Sequence, residues 1–127
     1  MAVTWKKLAY EDDVVTKAAL GLQTITPADS PAIDWSLGSI ASLLLDRATT
    51  TISGFSGATD GQRLVLRVRQ DGTGGRALVM PASVRYGTDI AALNLPTGAG
   101  ITSYIGFIYH AADAKYDVVS VSRGFAA

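Results

Sequence analysis

Between Arg63 and Gln70 the chain alternates with period two. Leu64, Leu66 and Val68 fall on one side; Arg63, Val65, Arg67 and Arg69 fall on the other. That period belongs to a strand with one apolar face. Unpaired guanidinium groups are very costly to bury, so the run has a fixed inside and outside. The next residues, Asp71-Gly72-Thr73-Gly74-Gly75, look at first like a phosphate-cradling loop. Such a loop follows a strand and opens a helix whose N–H groups hold the anion. Here Leu78 and Met80 alternate with Ala77 and Val79 as far as Pro81, with no helical stripe, no N-cap and no Gly-Lys-Ser/Thr. The loop is therefore expected to join a hairpin whose arms are residues 62–70 and 76–80, with Arg76 across from the arginine face.

The same punctuation runs through most of the chain. Residues 22–25 form a short strand closed by Pro27 and Pro31. Ile33, Trp35 and Leu37 alternate with Asp34 and Ser36, and Ile40 to Leu45 is densely apolar. Thr49-Thr50-Thr51-Ile52 is β-branched throughout, which suits strand. Residues 54–61 and 87–100 read as loops, with a short strand at 84–86 between them. A second hairpin joins residues 101–110 to 115–122. In it Ile105, Phe107 and Tyr109 take one face and Tyr104, Ile108 and His110 the other, as in a strand that is either central between two layers or packed against another subunit on its outer side. About eight short strands at this spacing predict an all-β fold, an antiparallel β-sandwich of jelly-roll type. The sandwich spans 22–127. Residues 1–21 form an N-terminal arm, in which Asp12 or Asp13 could cap a helical turn stopped by Gly21.

The formal charge is zero across 127 residues, which gives no electrostatic case for nucleic acid or an anionic membrane. No apolar run approaches a membrane span, and the N-terminus has no signal-peptide core, so synthesis in a cytoplasm without export by the usual signal is expected. The absence of cysteine removes disulfides and thiolate metal sites. Charged residues are 17% and hydrophobic ones 48%. Charged residues typically make up about 25%. Either Thr, Ser and Gly solvate the surface or partners cover part of it.

Chemistry-bearing sets are thin. The single histidine allows a Ser103–His110–Asp113 triad only on paper, with no nucleophile motif beside it. The adjacent acids Glu11, Asp12 and Asp13 lie in the arm, outside the sandwich, and Asp46 and Asp60 flank turns. With no EF-hand spacing either, the expectation is a protein that is not an enzyme and uses no cofactor or metal. Contact surfaces remain. Trp5, Leu8 and Tyr10 beside Lys6 and Lys7 form an arm that docks on something. Arg63, Arg67 and Arg69 face a partner or solvent, and Tyr104 joins them as a partner-facing candidate. Trp35 reads as core.

The segment "WKKLAYEDDVVTKA" resembles an N-terminal signature of small tailed-phage structural proteins. The stretches "DGQRLVLRVRQDGTGGRALVMPASVRYGTDI" and "SYIGFIYHAADAKYDVVSVSRGF" resemble a β-sandwich module of phage tail fibres and head-decoration proteins. Asp60, Gly61, Gln62, Asp71, Gly74, Gly75, Pro81, Tyr109 and Phe125 occupy its pattern positions. The resemblance implies a virion protein that is commonly a homotrimer. On a short chain with an arm and no shaft, it implies a decoration protein on the capsid surface, bound to the major capsid protein; it assigns no contact residue, and the arm residues Trp5, Lys6, Lys7, Leu8 and Tyr10 are the expected capsid contacts on their own chemistry. The alternative is a tail-fibre or tail-tip module that recognises a host surface glycan or protein.

Overall fold

The computed structural model describes residues 21–127. They form ten strands and no helix: β1 (Leu22–Thr24), β2 (Ala32–Asp34), β3 (Ile40–Leu45), β4 (Thr49–Thr51), β5 (Gly54–Ser56), β6 (Arg63–Gln70), β7 (Ala77–Val79), β8 (Val84–Arg85), β9 (Thr102–His110) and β10 (Lys115–Phe125). Six build one mixed sheet in the order β1-β3-β6-β9-β10-β8; β2-β5 and β4-β7 are separate pairs. The expectation of about eight antiparallel strands is corrected on both counts. Only β6–β9 and β9–β10 are antiparallel; β1–β3, β3–β6, β8–β10, β2–β5 and β4–β7 run parallel.

Long strands were legible and non-local pairings were not. The hairpin of β9 and β10 forms as its alternation predicts, with Lys115 opposite His110. The expected hairpin of residues 62–80 does not. β6 pairs with β3 and β9, and β7 leaves to pair with β4. Side chains divert it. The Gln70 amide is buried; it donates to the Arg76 carbonyl at 2.9 Å and accepts from the Arg76 N–H at 3.0 Å. It thereby takes the contacts a ladder partner would supply. Residues 54–56, expected as loop, form β5: three residues carry no period, and their partner β2 lies more than twenty positions earlier.

The inner face of the six-stranded sheet carries Ala41, Leu43, Leu45, Leu64, Leu66, Val68, Ile105, Phe107, Tyr116 and Val118, all buried. The β2–β5 pair closes over it through aromatic rings. Trp35 meets Phe55 at 5.3 Å and 82°, and Phe55 meets Phe107 at 5.5 Å and Tyr116 at 5.0 Å. Edge-to-face geometry of this kind is favourable beyond its buried area. It helps to offset the Trp35 indole N–H, which is buried with no hydrogen-bond partner among the described residues. Trp35 is core, as expected.

The Asp71 loop is a carboxylate-centred knot. One Asp71 oxygen accepts from the Thr73 and Gly74 N–H groups, and both oxygens hold Arg76. Those N–H groups already have their anion, so the loop cradles its own aspartate rather than a phosphate. Arg76 is therefore tied back to Asp71 and is not across a ladder from the other arginines. Gly74 has φ +73°, and a Cβ there would lie 2.6 Å from the Thr97 carbonyl oxygen. Gly74→Ala is expected to cost about 1–3 kcal/mol. Gly54→Ala, where a Cβ would meet nothing within 4 Å, should stay within about 0.5 kcal/mol. Urea denaturation of the two variants checks both.

Candidate functional site

The outer face of the six-stranded sheet follows from the register of β6. With Leu64, Leu66 and Val68 inside, the arginines must emerge on the other side, and the ladder places their neighbours. One row runs Ser42–Arg67–Tyr104–Ser122, the next Leu44–Arg69–Thr102–Phe125. Farther along lie Leu22–Ile40–Val65–Gly106–Ser120, then Arg63 beside Ile108. Of the proposed partner-facing residues, Arg67, Arg69 and Tyr104 are thus brought together. Arg63 stands on the same face but apart from them, four residues from Arg67, or about 13 Å along the strand. The arm residues Trp5, Lys6, Lys7, Leu8 and Tyr10, the acids Glu11, Asp12 and Asp13, and the capped turn lie outside the described residues.

The two halves of this face differ. At one end Leu22, Ile40 and Ile108 are exposed, as is Val119, which a register shift of β10 pushes out between Val118 and Ser120. The Ser120 hydroxyl sits where a Cβ of Gly106 would be, and Val119 lies over the same glycine. At the other end a cavity of about 540 Å³ is bounded by Ser42, Arg67, Arg69, Thr102, Tyr104 and Phe125. A second shift in β10 lies between Ser122 and Phe125 and contains Gly124 at φ +83°. It returns Phe125 to the outer face, where its ring meets Tyr104 at 5.6 Å and 80°. Sequence reading assigned Phe125 only a pattern position; the bulge that aims it leaves no local signal beyond its glycine.

The arginines of this face differ from three of the others; among the described residues Arg123 donates only to the Leu93 carbonyl. Arg47 pairs with Asp29 and Asp46, Arg76 with Asp71, and Arg85 with Asp113 and Asp117. None of Arg63, Arg67 and Arg69 has a carboxylate partner among the described residues. Arg67 donates from Nε to the Ser42 hydroxyl at 3.1 Å, which fixes the guanidinium without neutralising it.

A second cluster sits at the β9–β10 turn. Arg85 grips Asp117 with two nitrogens at 2.6 and 3.0 Å and Asp113 with a third at 2.8 Å. His110 Nδ1 lies 2.8 Å from Asp113 and 3.2 Å from Arg85. The guanidinium fills the space between the two carboxylates that a cation would take. The paper triad is not assembled. His110 does meet Asp113, but Ser103 is buried on the opposite face of β9, about 24 Å along the strand. Asp60 accepts from the Ala111 N–H at 2.9 Å, Gly61 turns at φ +78°, and Gln62 bridges Thr59 and Ser39. The Asp-Gly-Gln run thus braces this same turn. A further cavity of about 430 Å³, lined by Leu78, Met80, Tyr86, Leu93 and Leu95, is mainly aliphatic. Of its polar lining, Gln70 and Arg76 are already engaged with each other and with Asp71.

Comparison with family models, with curated proteins and with solved structures finds no match to this chain.

Hydrogen bonds from Arg85 hold the Asp113 and Asp117 carboxyls below their ordinary value. A carboxylate depressed in the folded state stabilises above its unfolded pKa, and that contribution fades as pH falls through the folded one. Arg85→Gln is therefore expected to melt below wild type at neutral pH, with the gap narrowing below about pH 4. Melting curves across the acid range test this.

Proposed function

We propose that the chain is a tailed-phage head decoration protein. In this reading a jelly-roll-like β-sandwich forms a homotrimer on the capsid surface, binds the major capsid protein and holds neighbouring capsid subunits together. Two things support it. The pattern positions of the resemblance have structural work in an all-β chain: Asp60, Gly61 and Gln62 brace a turn, Asp71 and Gly74 knot a loop, and Phe125 packs on Tyr104. The observation that carries the reading is the apolar end of the outer face, where Leu22, Ile40, Ile108 and Val119 stand exposed. It is the surface on which copies would meet.

Magnitudes give the arm its part. Covering four half-exposed aliphatic side chains contributes on the order of 4 kcal/mol. Association itself costs about 4–15 kcal/mol in lost freedom. One such contact is marginal; three copies that also insert Trp5, Leu8 and Tyr10 gain avidity through linkage. Deleting residues 1–13 is expected to abolish head binding and leave the trimer folded; full binding by the shortened protein defeats the arm assignment. Ile40→Lys with Ile108→Lys should shift sedimentation from trimer to monomer with an unchanged circular dichroism spectrum.

A second reading, a tail-tip module that recognises a host surface, is favoured by the Arg67–Arg69–Tyr104–Phe125 cavity. Copy number separates the two. A head protein is counted in proportion to capsid subunits, a tail protein by a handful per particle.

A further inference from the structure

We propose that the cavity bounded by Arg67, Arg69, Tyr104 and Phe125 binds a carboxylated sugar residue of a surface polysaccharide, such as a hexuronic or sialic acid. This rests on the second reading, host-surface recognition, and narrows it to one chemistry. Arg67 and Arg69 are two positions apart on one strand face, about 7 Å between α-carbons. Their charges face the same cavity, which Ala126 and Ala127 also line, and neither forms an ion pair with a carboxylate among the described residues. The Ser42 hydroxyl accepts from Arg67 Nε, leaving both terminal nitrogens of that guanidinium for a ligand. A carboxylate suits them, since guanidinium binds it through two parallel N–H donors. Tyr104 and Phe125 supply the apolar element. Their edge-to-face pair offers ring surface to the C–H face of a pyranose, while the ring hydroxyls of that sugar point outward. The hydroxyls of Ser42, Thr102 and Tyr104 border the same space and can both donate and accept.

Size and charge select against other occupants. The volume of about 540 Å³ falls within the roughly 300–1,000 Å³ of small-ligand sites. A stable protein partner would need about 800 Å² from each side, or roughly 20–30 residues, whereas two short cross-strand rows line this cavity. A bare anion would leave the aromatic pair unused. A neutral sugar would leave two guanidinium charges facing each other. Only a ring that carries an acid answers both halves of the site.

The test titrates the full 127-residue chain by calorimetry. The probes are a galacturonate trisaccharide and sialyllactose, each against its uncharged counterpart (the carboxyl-reduced trisaccharide, and lactose), with inorganic phosphate as a separate arm. One acidic saccharide is expected to saturate the protein and its uncharged counterpart to bind at least about tenfold more weakly. Arg67→Gln with Arg69→Gln, and separately Phe125→Ala, should each lose about tenfold or more with unchanged melting temperature, and Arg63→Gln should bind as wild type. Either acid saturating keeps the proposal and says which sugar acid fits. Failure of both to saturate by about 10 mM, equal binding of the uncharged counterparts, phosphate binding as tightly as the saccharide, or indifference to the arginine changes overturns it. Virion adsorption to host cells separates this from the reading beneath it. Saturable binding by the pure chain, with adsorption untouched by the arginine changes, keeps the ligand and sinks host recognition.

Discussion

Arg63, Arg67 and Arg69 cannot go inside, and nearly everything else about the molecule follows. They alternate with Leu64, Leu66 and Val68, so the register of β6 has one solution; a slip by one residue would bury the guanidiniums and expose the core. β6 is paired on both edges, with β3 parallel and with β9 antiparallel. Its constraint therefore passes to Leu43 and Leu45 on one side and to Ile105 and Phe107 on the other, and through β9 to β10. The aromatic contacts that seat the β2–β5 pair exist only because Phe107 and Tyr116 have been turned inward. The same constraint, seen from the other side, lays Ser42, Arg67 and Tyr104 in one row.

What could be read from the sequence is what β6 and β9 carry locally. Their alternation predicted two long strands, an inside and an outside, and the turn at residues 111–114; the separate alternation of Ile33, Trp35 and Leu37 placed Trp35 in the core. The failures share a cause. A parallel pair needs a partner far along the chain, and nothing in Thr49–Thr51 names Ala77–Val79 as that partner. The Asp71 loop shows the limit most sharply. Its glycines say that the chain turns, but not that Gln70 will bind the Arg76 backbone and send β7 to another sheet. The site was legible to the same depth. Arg67, Arg69 and Tyr104 could be assigned to outward faces of two strands. That they are cross-strand neighbours depends on the β6–β9 register, and the approach of Phe125 depends on a bulge at Gly124.

A formal charge of zero describes the chain and not its surface. At physiological salt, charges farther apart than about 8 Å are largely screened from one another, so a partner meets local charge. Arg47, Arg76 and Arg85 are each spent on aspartates that brace a turn, a loop or a strand end. The acids used there are no longer available to balance β6, and a neutral total coexists with a basic, aromatic corner. The composition argument that sets aside long-range attraction to polyanions therefore leaves short-range recognition open. Two guanidiniums, one of them fixed by Ser42, beside a ring pair act only within contact distance. Such an arrangement discriminates at contact and does not gather a polymer from afar.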